Sequence, residues 1–311
     1  MLHIVCGGQF GYEGKGKVIQ WFEKHLNVKL CVRVGGNNTH TIYDENLEAH
    51  TLRQLPVGAV NHLPCVISAG SYIDKDVLLR EISNYQYTSK NLWIDSHSII
   101  INKQQSYTET ISQHIINGNV LFAKDDNELS QYTCDTSILL RSWGNKTEVM
   151  IEGIDGLGLS LFHGNYTAGI DTSASGILSM CGLSPFDVAN VIMVLRAFPV
   201  SKMSIQNEIT WDDMSDNVDY DVEEYEDDTD KLLHVGSFSP DIVIKALNIN
   251  KPNIVVLNFL DYIDGTQSES YDELSDMQKQ FIQDIEKYIK YKINYGSTDE
   301  INLFEIKKHF R

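Results

Sequence analysis

The segment Gly7-Gly8-Gln9-Phe10-Gly11-Tyr12-Glu13-Gly14-Lys15-Gly16-Lys17 sets five glycines and two lysines directly after the apolar run Leu2-His3-Ile4-Val5-Cys6. It then runs into the helix-like Val18-Ile19-Gln20-Trp21-Phe22-Glu23-Lys24. Glycines let backbone N–H groups close around phosphate oxygens, and a helix N-terminus adds partial positive charge at the same point. Lysines at a spacing of two can neutralise a phosphoryl group in transfer. The G-x-x-x-x-G-K-[ST] spacing of a Walker loop is absent. Taken alone, the segment could also be a strand–helix turn that binds nothing.

These residues need a frame to hold them, and the order of elements predicts an α/β fold with a mostly parallel central sheet. Leu2–Cys6, Lys29–Val34, Val66–Ala69, Leu92–Asp95, Ser98–Ile101, Glu148–Glu152 and Asn253–Phe259 read as short buried strands. Asp74–Tyr85 and Asp272–Tyr291 carry helical spacing, and a polar, mostly helical stretch is expected up to about Asn127. Pro185 and Asp187 are helix-start signals, predicting a helix that leads into Val191–Phe198. A second glycine cluster, Gly153-Ile154-Asp155-Gly156-Leu157-Gly158, closes the strand at 148–152. Ligands should collect at the C-terminal ends of the parallel strands.

Composition narrows the function class. With 311 residues and 42% hydrophobic content the chain can bury a substantial core, read here as one domain over 1–311. No apolar run approaches the roughly 18 residues of a membrane span, and nothing at the start resembles a cleavable leader. The five cysteines are odd in number and scattered, which fits reduced thiols in the cytoplasm and no zinc framework. A net charge of −18 argues against a nucleic-acid partner. The stretch 212–230 holds eleven Asp or Glu and no Lys or Arg, and reads as a solvated, mobile loop or a substrate-covering one.

Four separated blocks resemble the adenylosuccinate synthetase superfamily. The first is the opening glycine–lysine segment. The second is Val32-Arg33-Val34-Gly35-Gly36-Asn37-Asn38-Thr39-His40-Thr41, followed by Arg53-Gln54-Leu55-Pro56-Val57-Gly58. The third is Glu152–Leu161 with Asp171-Thr172-Ser173-Ala174, Arg196-Ala197-Phe198-Pro199 and Glu208-Ile209-Thr210-Trp211. The fourth is Val235-Gly236-Ser237-Phe238 with Leu257-Asn258-Phe259-Leu260-Asp261-Tyr262-Ile263-Asp264. The wording of the last two is similar to the phage and archaeal 2-aminoadenylosuccinate synthases of the diaminopurine pathway.

The resemblance implies a P-loop-like fold and a ligase of purine biosynthesis. A triphosphate, ATP or GTP or a deoxy form, phosphorylates the 6-oxo group of a purine nucleotide with Mg2+ present. Aspartate then displaces the phosphate. IMP or dGMP is the implied acceptor, and a cytoplasmic homodimer the implied assembly. Gly11, Gly14, Lys15, Gly16 and Lys17 would hold the triphosphate, with Asn258 and Asp261 on its base. His40, Lys15, Glu13 and Tyr12 occupy the catalytic positions, His40 as the acid that assists loss of the leaving phosphate. Asn38, Thr39, Thr41, Asp155, Thr172 and Ser173 match substrate positions, and Thr39 the metal position.

The departures fall on chemistry. Tyr12 stands where the family has an aspartate that takes the N1 proton and binds metal, and a phenol with a pKa near 10 is a poor base. Asp155 replaces a glutamine that contacts the 6-position. Leu233 and His234 replace two arginines that grip the dicarboxylate, which Leu cannot do. Ser201-Lys202-Met203-Ser204 and Thr133–Ser137 lack the glycines expected there. Three readings follow: a ligase, with aspartate or another amine as donor; a catalytically degenerate nucleotide-binding paralogue acting as sensor or partner; and a plain phosphatase or NTPase.

Overall fold

The computed structural model describes residues 1–36, 38–44, 46–101, 120–165, 169–215, 218, 220, 222–226 and 229–307. In chain order the first strands are β1 (Leu2–Gly7), β2 (Leu30–Arg33), β3 (His40–Tyr43), β4 (Ala49–Leu52), β5 (Cys65–Ile67) and β6 (Tyr72–Asp74). There follow β7 (Leu92–Asp95), β8 (Ile99–Ile101), β9 (Leu121–Phe122), β10 (Thr133–Cys134), β11 (Val149–Gly156) and β12 (Val188–Arg196). The last are β13 (Val200–Ser201), β14 (Glu208–Ile209), β15 (His234–Gly236), β16 (Ile254–Asn258), β17 (Tyr295–Gly296) and β18 (Phe304–Glu305).

Ten of these make one sheet in the order β10-β7-β5-β2-β11-β1-β12-β16-β17-β18, parallel throughout except for β17 and β18. β1 lies between β11 and β12, and all six of its residues are buried. A central parallel strand is covered on both faces, which explains why it is apolar apart from His3, whose ring is hydrogen-bonded to Glu148 and Asn190. Side chains from one face of β1 (Leu2, Ile4, Cys6) join one core cluster, while Val5 joins the other. The C-terminal ends of β1, β11, β12 and β16 come together, and helix α1 (Lys15–His25) starts there from Gly14.

Two expectations are corrected. The signals at 184–187 start only a short 3-10 turn, with Ser184 and Asp187 in a capping box, and the chain then enters β12. The β-branched run around Val191 pairs with β1 and β16 over its whole inner length, so tertiary pairing overrides the local helix signals. The acidic stretch is not simply a solvated loop either. It opens with a helix at Trp211–Ser215, and Met214, Val218 and Val222 are buried with Val200, Trp211, Leu233 and Val235. Its residues 216, 217, 219, 221, 227 and 228 lie outside the described residues, as does the helical expectation for 102–119. Among the described residues no helix is long and apolar enough to cross a membrane.

Candidate active site

The turn after β1 is held from within by Glu13. Its Oε1 accepts the N–H groups of Gln9 at 2.9 Å and Gly11 at 3.0 Å, and its Oε2 pairs with Lys15 Nζ at 2.9 Å. Lys15 also donates to the carbonyl of Gly11 at 3.0 Å. Gly14, with φ +75°, is the N-cap of α1, and a Cβ there would stand 3.0 Å from Asn258 Nδ2. That amide donates to the carbonyl of Glu13 at 2.7 Å, so Asn258 braces the turn from β16. Lys15 and Asn258, expected on the triphosphate, thus hold the loop that would meet it.

Lys17 lies on the first turn of α1. Its Nζ donates to Ser297 Oγ at 2.8 Å and to the carbonyl of Asp299, and sits 4.7 Å from the centre of the Phe259 ring. Burial lowers its pKa to about 8, against the pull of Asp261 and Asp299. Arg196, at the end of β12, stacks over the same ring at 4.1 Å. Its guanidinium donates to Glu224 at 2.5 and 3.1 Å and to the Tyr12 carbonyl at 2.8 Å. Asp261 accepts from Tyr220 at 2.7 Å, so an acidic-stretch residue already fills the position expected to read a base.

His40 begins β3, which pairs with β4 as a hairpin. Its Nε2 faces Glu152 Oε1 at 3.3 Å, while a Cβ on Gly16 would stand 3.5 Å from its Nδ1. One ring nitrogen thus faces a carboxylate and the other the glycine turn. Burial holds the His40 pKa well below 6.5, and the charges of Arg33 and Lys15 push the same way. Glu152 and Arg33 are in-register neighbours on β11 and β2, both 1% exposed. Arg33 Nη1 donates to Glu152 Oε1, and Val57 N–H donates to Oε2 at 2.9 Å. Neither residue was assigned a role from sequence, though charged residues inside buried strands were the available signal.

The remaining candidates divide. Asn38 donates to Asp155 Oδ1 at 2.5 Å, close to Gly11. Thr172 donates to the Gly156 carbonyl at 2.9 Å, and Ser173 caps the helix Ala174–Cys181. Thr41 is exposed on the hairpin, opposite Thr51, and Thr39 is half-buried. Tyr12 is partly buried and packs against the Val200–Trp211–Leu233 cluster. Position 12 therefore brings no carboxylate to a Mg2+ ion, which favours carboxylate and phosphate oxygens. Leu233 is buried and His234 pairs with Glu208 at 2.6 Å. Beside them opens a cleft of about 320 Å³ with no Lys or Arg among the described residues of its walls.

Two pH effects follow. A lysine that contacts phosphate must be charged, which Lys17 is below about pH 8. Affinity for a non-hydrolysable triphosphate, measured by calorimetry, should fall as pH rises through 8, by up to about tenfold per unit. A flat profile to about pH 9 contradicts that contact. Native His40 refuses the proton that the unfolded chain accepts below 6.5, so its contribution to stability is lost as pH falls below that value. Urea unfolding should show a loss of up to about 1.4 kcal/mol per unit, and His40→Asn should remove this component of the slope.

Comparison with known proteins agrees with this architecture. The family model for adenylosuccinate synthetase matches residues 4–120 and 120–268. The adenylosuccinate synthetase of Methanococcus maripaludis strain C5 is 30% identical over 328 residues, covering 95% of each chain. That of Methanosphaera stadtmanae is 29% identical, covering 95% of this chain and 94% of its own. Two solved structures share the fold. Fully ligated adenylosuccinate synthetase from Plasmodium falciparum superposes with a TM-score of 0.82 at 16% identity, over 98% of this chain and 99% of that one. Cyanophage S-2L succinoaminodeoxyadenylate synthetase, bound to dGMP and to dATP as an energy donor, gives 0.80 at 20% identity, over 99% and 95%. The matched blocks hold the glycine turn, His40 and the Arg33–Glu152 pair, and the chain belongs to the adenylosuccinate synthetase family, ligases that form carbon–nitrogen bonds.

Proposed function

We propose that this protein uses a nucleoside triphosphate to phosphorylate the 6-oxygen of a purine nucleoside monophosphate, and that an amine then displaces the phosphate. The observation that carries this reading is His40, set between the glycine turn on one side and buried Glu152 on the other. In the free protein the imidazole is neutral, because burial and the Arg33 and Lys15 charges oppose protonation. An anionic phosphate beside Gly16 reverses that balance. The imidazole then gains a proton at Nδ1 and can pass it to the departing phosphate, while Glu152 holds Nε2. Lys17 and the amides of the turn supply positive potential without moving far.

The acceptor is a 6-oxopurine monophosphate. The deoxyguanylate branch is favoured over the inosinate branch by the absence of a carboxylate at position 12, and the cyanophage relative was solved with dGMP. The donor amine is less well matched to aspartate, because the cleft beside Leu233 and His234 offers no arginine to a dicarboxylate. A cytoplasmic homodimer remains the assembly implied by the family. A second reading, a nucleotide-binding paralogue without turnover, is supported by Glu224 on Arg196 and Tyr220 on Asp261.

The test is incubation with ATP, GTP or dATP, magnesium, and dGMP or IMP, with aspartate and a panel of other amines, following product mass. A 6-amino-linked adduct and stoichiometric phosphate are expected, and His40→Asn should lower the rate by about a hundredfold or more. Tight nucleotide binding with no phosphate release from any pair would favour the second reading.

A further inference from the structure

Resting on the ligase reading, we propose that Asp155 is the general base of this enzyme, taking the N1 proton of the 6-oxopurine in the role that position 12 does not fill. The carboxylates that could serve are few. Glu13 has both oxygens committed, to the Gln9 and Gly11 amides and to Lys15. Glu152 sits behind His40, paired with Arg33. Asp155 lies beside Gly11 and Asn38. It follows the straight run of β11 pairing with φ +51°, a left-handed backbone that turns the side chain towards the glycine turn.

The result is a carboxylate at the right address. A Cβ on Gly11, with its φ of +106°, would lie 3.3 Å from Asp155 Oδ1, one residue before position 12. Asn38 Nδ2 donates to Oδ1 at 2.5 Å and fixes the group, while Oδ2 has no hydrogen-bond partner among the described residues. The resemblance sets this position against the 6-oxygen, next to N1. The charged groups that face it are Lys15 and Glu13 on the turn and Lys202 beyond β13, with the Asn38 amide from the segment after β2. Burial raises its basicity above that of an ordinary aspartate, and Lys15 opposes this. A carboxylate of raised basicity is suited to proton abstraction near neutral pH.

The step balances without another reagent. Asp155 forms an O–H bond as N1–H breaks, and the freed pair moves through the ring to O6. O6 bonds to the γ-phosphorus as the bond from that phosphorus to the β–γ bridging oxygen breaks, releasing the diphosphate. The amine nitrogen later bonds to C6 as the C6–O6 bond breaks, O6 leaving with the phosphate that takes a proton from His40, and the protons of the attacking nitrogen and of Asp155 pass to solvent. The negative charge that the sequence places beside a forming phosphate is thereby removed at the moment the phosphate arrives.

Positional isotope exchange in bridge-labelled ATP or GTP, with dGMP or IMP and no amine, reads this half-reaction alone. Wild-type protein should scramble the label. Asp155→Asn should scramble it about a hundredfold more slowly or worse. Its affinity for the monophosphate, by calorimetry, should stay within about threefold, and Asp155→Glu should recover part of the rate. The acid limb of the wild-type pH profile should vanish in Asp155→Asn. If that variant does not fold, Asp155→Ser is read in the same way. Exchange by either variant within about threefold of wild type, or an unchanged acid limb, overturns the assignment. No exchange in wild-type protein with any purine monophosphate is a different result: it removes the ligase reading, and this inference with it.

Discussion

A guanidinium and a carboxylate buried side by side between β2 and β11 set the geometry of everything around them. Arg33 and Glu152 are each 1% exposed, and two charges so far from water are costly unless their remaining hydrogen-bonding capacity is used. Here it is used structurally. Glu152 takes the Val57 amide and faces His40, while Arg33 also reaches the carbonyl of Asn38. One ion pair therefore ties Asn38, the turn at Val57 and the start of the β3–β4 hairpin to the central sheet. Loss of either partner would strand the other charge at a cost of about 3–5 kcal/mol.

The same economy of charge runs through the rest of the site. The chain is strongly acidic overall, yet each cation near the glycine turn already has an internal partner. Lys15 has Glu13, Arg196 has Glu224, and Lys202 has Glu226 at 2.5 Å. Among the described residues the hydrogen bonds of Lys17 go to neutral oxygens, Ser297 Oγ and the Asp299 carbonyl, and burial lowers its pKa to about 8. A polyphosphate entering here gains most from Lys17 and from backbone amides. Elsewhere it must share a cation with a carboxylate. The acidic stretch is thus part of the site's electrostatics, with Glu224 and Tyr220 seated on Arg196 and Asp261.

Much of the fold was readable before any coordinates. The apolar runs of β1, β2, β7 and β16 fell within a residue or two of their observed ends, because a strand buried on both faces is written mostly in Val, Ile and Leu. The failure at β12 came from the same physics. Capping residues at 184–187 describe only their own turn, whereas the fate of Val191 onwards is decided by pairing with β1 and β16, distant in sequence. The site was legible as a set of residue types, since glycines, lysines and His40 announce phosphate chemistry by themselves.

Roles were another matter. Sequence alone determined that a glycine–lysine turn follows a buried strand, that position 12 has no carboxylate, and that positions 233 and 234 hold Leu and His. Only the tertiary structure decided that Lys15 faces inward to Glu13, that Tyr12 packs against the Val200–Trp211–Leu233 cluster, and that Asp155 approaches Gly11. Side-chain direction depends on backbone dihedrals and on which strand ends meet across the sheet. Neither quantity is local, so a residue's type can be read along the chain while the partner it will face cannot.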